Sequence, residues 1–366
     1  MKKKQQRVPL SIVAVLAMCA MSLGGCPDPV YDAPSTPLEF PADHGFHSNG
    51  TEWLYFSGVL QTDAGNELGF MFTIFQRESL IRSLNEGYFY PCILAVSDPA
   101  ASAFYSKVTL GLFGSSCFPD GLPLIEAEGG RIACLPSGDF HVQADIDGLS
   151  IDLNLKPAEE VLPHGEDGLI PMGDGIDSGY YSFTNLPTSG TVSIDGVDHA
   201  IVSGRTWMDH QWGNWTDRGM IWDWFSLRFD NGGSLMVFQF RDGANNVIHG
   251  NWTYRDADGQ VRYGTDFSVA AHRTYTDPES GDAFPVEWTV AVPSLDAEFR
   301  VTPVLDGQNI YSLWEGLCNV EGALGGSPLT GKAFVELTGY GDNSTSTRYA
   351  LVLQMFIKSL WAAIWG

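Results

Sequence analysis

"WDWFSLRFDNGGSLMVFQFRD", residues 222–242, is two apolar runs joined by Asn231-Gly232-Gly233. Successive side chains of a strand point to opposite faces. Trp222, Trp224, Ser226, Arg228 and Asp230 therefore share one face, and Asp223, Phe225, Leu227 and Phe229 share the other. The glycines supply a tight turn, so the stretch reads as a β-hairpin with one face for a core. The same texture extends outward in both directions. Runs 53–61 and 69–76, 140–144 and 149–157, 191–194 and 200–204, and 251–255 and 261–264 each flank a turn containing Gly65, Gly148, Gly196 or Gly259. No long helical period appears before Tyr349. Many short strands joined by tight turns predict an all-β sandwich or barrel.

The opening stretch has a counterpart. Trp222-Asp223-Trp224-Phe225-Ser226 matches Trp53-Leu54-Tyr55-Phe56-Ser57, and an Asp-His pair precedes each, Asp43-His44 and Asp209-His210. Such a repeat predicts two similar β units in tandem with a boundary near Arg205. Two lipocalin-like antiparallel barrels, 38–205 and 206–345, suit these lengths and leave few exposed sheet edges. The apolar tail 346–366 carries one charged side chain after Arg348, Lys358. It is read as packing on a barrel with a short C-terminal helix, with a membrane-surface contact as the alternative.

The N-terminus reads as an export signal. Lys2, Lys3, Lys4 and Arg7 precede an apolar run, 8–23, that is too short for a comfortable membrane span. It closes on Leu23-Gly24-Gly25-Cys26, the pattern of a lipoprotein cleavage site. Removal of 1–25 and acylation of Cys26 would tether the mature chain to a membrane, on its periplasmic or cell-surface side. Residues 26–37, with Pro27, Pro29 and Pro34, form a stiff tether. Without 1–25 the chain has 16 basic and 44 acidic residues, a net charge of −28. So acidic a protein repels nucleic acid and anionic head groups, which argues against both as partners. A monomer is the expectation, although nothing in the sequence fixes the oligomeric state.

Four cysteines remain after Cys19 and Cys26. In an oxidising compartment Cys117–Cys134 is the favoured disulfide, with Cys92–Cys318 as a staple between the halves; four free buried thiols are the alternative. His44 and His47 form an H-x-x-H, but no nearby cysteine or carboxylate cluster completes a metal site. No metal and no cofactor are expected. His164 falls in a Gly-rich stretch read as solvated.

Several stretches resemble a known family. They are "FPADHGFHSNGTEWLYFSGVL" (40–60), "SGYYSFTNLPTSGTVSIDG" (178–196), "SGRTWMDHQWGNW" (203–215), the 222–242 hairpin, and "WEGLCNVEG" with "GKAFVELTGY" within 314–340. Together they span nearly all of the mature chain in order. The resemblance is to the AttH-like family, which includes the bacterial carotenoid 1,2-hydratases and chains labelled predicted secreted hydrolases. It implies two tandem lipocalin-like barrels and a hydrophobic polyene-type substrate held at or between them. From the hydratases it implies a His-x-Trp and a strand aspartate as working residues, here His210, Trp212 and Asp223. Those hydratases carry a tyrosine two residues before the aspartate, where this chain has Ile221. The label "hydrolase" finds no G-x-S-x-G or H-E-x-x-H here.

Alternation alone also singles out Asp223. It shares a face with Phe225, Leu227 and Phe229, where the first unit has Leu54, Phe56, Gly58 and Leu60. A carboxyl replaces a leucine on an inward face. An unpaired buried carboxyl group resists ionisation and could protonate an alkene. Asp223 and His210 are thus the candidate catalytic residues, with His210 orienting water. Trp53, Tyr55, Tyr181, Trp212, Trp222 and Trp224 are the candidate ligand-binding aromatics, and their π faces suit a carbocation. A structural role for Asp223, paired with Arg205, Arg228 or His210, is the competing reading. The functional expectation is a hydrophobic small-molecule binder, either a hydro-lyase-type hydratase or a non-catalytic carrier. A protein-assembly role through the aromatic face comes third.

Overall fold

The computed structural model describes residues 34, 38–47, 51–78, 88–112, 114–172, 177–213, 221–242, 244 and 246–340. Cys26, the tether apart from Pro34, and the tail 346–366 with its expected helix lie outside the described residues.

Two antiparallel sheets account for the fold. The first has 14 strands and centres on Thr51–Thr62, which pairs with Glu67–Glu78 on one side and Val197–Gly213 on the other. The second has 10 strands and centres on Ile221–Phe229, which pairs with Ser234–Arg241 and Ser327–Thr338. Each sheet curls around its own apolar core. Leu54, Phe56, Phe72, Phe140 and Leu153 fill the first; Phe225, Phe229, Trp288, Phe299 and Trp314 fill the second. This is the lipocalin-type, all-β architecture that the repeat predicts. The hairpins pair as read. Asp195 (φ 50°) and Gly196 (φ 81°) are both left-handed, the type I′ geometry that matches strand twist.

A third apolar layer lies between the sheets and includes Tyr55, Met71, Trp207, Trp224, Met236, Phe238, Leu317 and Phe334. Hydrogen bonds cross it. Tyr55 donates to Glu315 (3.0 Å), Trp224 Nε1 donates to the Tyr180 hydroxyl (2.9 Å), and Arg228 donates to the carbonyls of Ser57 and Arg205 (3.0 and 2.9 Å).

The expected boundary at Arg205 moves. Val197–Gly213 is one strand of the first sheet, so residues 206–213 close the first barrel rather than open the second. The strands of the repeat are equivalent, but its Asp-His pairs are not. Asp43-His44 forms a 3-10 turn ahead of the first strand, whereas Asp209-His210 sits on the strand that pairs back with it. Both pairs belong to one barrel.

The disulfides expected from spacing are absent, and all four thiols in the described residues are free. Cys92 and Cys318 are buried in different cores. Cys117 is exposed on Gly114–Cys117, and Leu124–Ala127 separates that strand from Gly130–Cys134. Iodoacetamide is therefore expected to alkylate Cys117 in the folded protein and to spare Cys92, Cys134 and Cys318. Peptide mapping checks this; an unlabelled Cys117 would restore the Cys117–Cys134 pairing.

Candidate functional site between and within the barrels

Alternation sorts the chemistry-bearing side chains at one end of the molecule into three compartments. Along Val197–Gly213, His210 and Trp212 point into the first barrel, while Trp207, Asp209 and Gln211 face the second sheet. Along Ile221–Phe229, Asp223 and Phe225 face the second core, and Trp222 and Trp224 face the first sheet.

The first compartment is the mouth of the first barrel. Glu52, completely buried, presents Oε1 to His47 Nδ1 (2.6 Å) and to His210 Nε2 (2.7 Å). Its Oε2 accepts the His47 backbone N–H at 2.6 Å. Asp43 holds the far sides of both rings. Its carboxylate faces His47 Nε2 (3.1 Å), and its backbone carbonyl faces His210 Nδ1 (2.8 Å). Tyr181 donates to that carbonyl at 3.0 Å and stands 2.7 Å from His44 Nδ1. Trp212 stacks on His47 with ring centroids 4.3 Å apart. It also lies against Gly179, where a Cβ would approach the indole to 2.3 Å. Burial opposes charge on His47, but its hydrogen bonds to Asp43 and Glu52 outweigh this and raise its pKa to about 9. Burial lowers His44 to about 3, which keeps it neutral.

The second compartment is an aromatic cavity between the sheets. Trp53, Tyr55, Tyr180, Trp222, Trp224, Phe238 and Phe240 line it. Two carboxyl groups share the wall, Asp209 and Glu336. Trp222 Nε1 donates to Glu336 Oε1 (2.9 Å), and Thr338 donates to the same oxygen (3.3 Å). Burial pushes Glu336 up to about 7 against those hydrogen bonds. Asp209 accepts hydrogen bonds from Ser182 and from Trp207 Nε1, and burial likewise pushes it to about 7. Glu315, behind Tyr55, is raised well above its ordinary value by burial and by the charge of Glu336. The free volume is about 30 Å³, room for one or two waters.

The third compartment holds Asp223 in the interior of the second barrel. It is fully buried but not unpaired. It forms an ion pair with Arg241 and accepts hydrogen bonds from Gln239 Nε2 (2.6 Å) and the Tyr340 hydroxyl (2.7 Å). The expected partners Arg205, Arg228 and His210 all lie elsewhere. An arginine and two neutral donors favour the carboxylate, so the reason for reading Asp223 as a protonated acid is removed.

The sequence-predicted residues therefore separate. His210, Trp212 and Tyr181 meet in the first barrel. Trp53, Tyr55, Trp222 and Trp224 meet in the cavity, and Asp223 stands apart from both sets. Sequence reading missed Glu52, Asp209, Glu315 and Glu336. Glu52 had a usable signal: it shares the inward face of Leu54 and Phe56, the same anomaly that marked Asp223. His164, read as solvated, is completely buried and stands 2.6 Å from the Ser182 hydroxyl.

A family model described as AttH-like matches residues 31–340. Among solved structures, a chain assigned as an AttH of Nitrosomonas europaea has a TM-score of 0.73 at 28% identity, covering 84% of this chain and 98% of that one. Kievitone hydratase of Nectria haematococca has a TM-score of 0.65 at 16% identity, covering 85% and 98%, and shows a shared fold. No curated protein matches the chain.

Proposed function

The chain belongs to the AttH-like family, and from that premise we propose that it binds an apolar unsaturated molecule, of isoprenoid or polyene type, between its barrels and hydrates a carbon–carbon double bond. One observation carries this reading: Glu336, with a pKa near 7, sits in a wall of indole and phenyl rings. Simple alkenes are weak bases and need a proper acid close by. The Glu336 O–H would protonate one alkene carbon, using the π electrons for the new C–H bond. The cation left on the neighbouring carbon would face Trp53 and Trp222. Water would add there and return a proton to the Glu336 carboxylate, which closes the balance: alkene plus water gives alcohol. The role of acid thus passes from Asp223 to Glu336. A ligand larger than the present cavity would enter by parting Trp53 and Trp222, both half-buried at its rim.

The test is incubation of the protein with a panel of linear polyenes and terpenoid alkenes in H₂¹⁸O. Incorporation of one labelled oxygen supports a hydratase. A ligand that stays bound and is returned unchanged would make the protein a carrier and end the catalytic reading.

We also propose that the mature chain is a lipid-anchored exported protein. The support is the basic start, the short apolar run and Leu23-Gly24-Gly25-Cys26. Such an anchor would hold the cavity beside a membrane into which apolar ligands partition. Labelled palmitate is expected to enter the wild-type chain and not Cys26→Ser; equal labelling of both would overturn it.

A further inference from the structure

We propose that His47, Glu52 and His210 form a binding site for one divalent transition-metal ion of the zinc class, at the mouth of the first barrel. The inference is independent of the hydratase reading, whose acid lies in another compartment. It rests on three ligand-type atoms that converge on one point and on the groups that stand behind each ring. His210 Nδ1 faces the Asp43 carbonyl at 2.8 Å. A carbonyl only accepts, which favours a hydrogen on Nδ1, with the Tyr181 hydroxyl 3.1 Å from the same nitrogen. His47 Nε2 faces the Asp43 carboxylate at 3.1 Å and carries a hydrogen for the same reason. In the neutral form that ligates a metal, each imidazole has then spent its one N–H. The remaining nitrogens, His47 Nδ1 and His210 Nε2, both point at a single oxygen, Glu52 Oε1.

Three lone-pair donors thus converge, with all ligand atoms within 4.8 Å of one another. Without a metal, protons bridge these atoms between rings whose centroids stand 5.7 Å apart; one dication can take their place. Two nitrogens and a carboxylate oxygen are the donor set of a zinc-class ion rather than of magnesium or calcium. The outer partners also fit. A ligating histidine usually donates its other N–H to a carboxylate or a backbone carbonyl, and here Asp43 supplies one of each. The His47 N–H and Gln76 Nε2 hold the second Glu52 oxygen.

Donors around a tetrahedral ion stand about 3.3 Å apart. Glu52 Oε1 would therefore draw back from both rings by about half an ångström. His47 is about one-quarter exposed and offers a path for the ion. Three protein donors leave a coordination position for water or a ligand atom, the open form of such centres. The H-x-x-H therefore does not bind as a pair. His44 turns to Tyr181, and the second imidazole comes from His210, on a strand distant in sequence.

The test is titration of chelator-treated, untagged full-length protein in detergent with Co²⁺ and Zn²⁺. Visible absorption of Co²⁺ is expected to saturate at one equivalent, and Zn²⁺ to displace it. Glu52→Gln and His47→Gln are each expected to weaken binding by about two orders of magnitude. His44→Gln, altered in the same turn but outside the donor set, is expected to bind like wild type, and Mg²⁺ to compete not at all. A circular-dichroism melt checks each variant. Should Glu52→Gln fail to fold, His47→Gln at the rim decides alone. Absence of saturable Co²⁺ absorption in the wild type, or unchanged affinity in His47→Gln, overturns the site.

Discussion

Asp223→Leu is expected to lower the unfolding free energy by about 3–5 kcal/mol, and Asp223→Leu with Arg241→Met to recover most of that loss. The substitution is the one the protein makes itself, since Leu54 holds the equivalent place in the first barrel. There the opposite residue on the next strand is Ile74; in the second barrel it is Gln239. One barrel fills this position with hydrocarbon, the other with an ion pair and two neutral hydrogen bonds. Removing the carboxylate alone takes the Asp223 charge away from the Arg241 cation, which is mostly buried. Removing both charges deletes the desolvation penalty together with the attraction, so a packed apolar pair restores most of the stability, less the hydrogen bonds that Gln239 and Tyr340 made to the carboxylate. Urea denaturation of the three proteins measures this. A single variant within about 1 kcal/mol of wild type that loses all product formation would return Asp223 to catalysis.

Much of the fold was legible because sheets write themselves in a short period. The 222–242 hairpin needed only alternation and a glycine turn, and the inward aim of Asp223 followed from counting by two. What alternation cannot supply is the partner. Asp223 looked like an unpaired acid because Arg241 lies on the next strand, at a position fixed by register and not by spacing. The boundary failed for a related reason. Asp209-His210 resembles the opening of a unit, but a barrel closes by pairing its last strand with its first, and that contact joins residues about 140–160 apart. The histidine cluster was hidden by the same closure. His47 and Glu52 are five residues apart, whereas His210 arrives only when Leu54 meets it across the seam. The aromatic set was the opposite case. Trp53, Tyr55, Trp222 and Trp224 carry a repeat signature, and because the repeated strands face each other, they line one cavity.

Glu336→Gln is expected to reduce hydration by about two to four orders of magnitude while leaving ligand affinity and fold in place. The amide oxygen of glutamine still accepts the Trp222 indole N–H, so the rotamer that places the group on the cavity wall survives. What disappears is the acidic proton. The reaction needs that proton in its first step, before any charge exists for the aromatic rings to stabilise, so the loss falls on turnover and not on binding. The pH dependence has the same origin. In the proposed cycle Glu336 must be protonated at the start, and burial raises it to about 7. Activity is therefore expected to be high below pH 7 and to fall about tenfold per unit above it. An ordinary exposed glutamate would have lost its proton near pH 4–5, about two to three units lower. Product formation measured from pH 5 to 9 checks both statements. A flat profile, or full activity in Glu336→Gln, would remove Glu336 from the first step. The cavity would then keep its aromatic wall as a binding surface, and the proton donor would have to be sought at Asp209, the other carboxyl group on that wall.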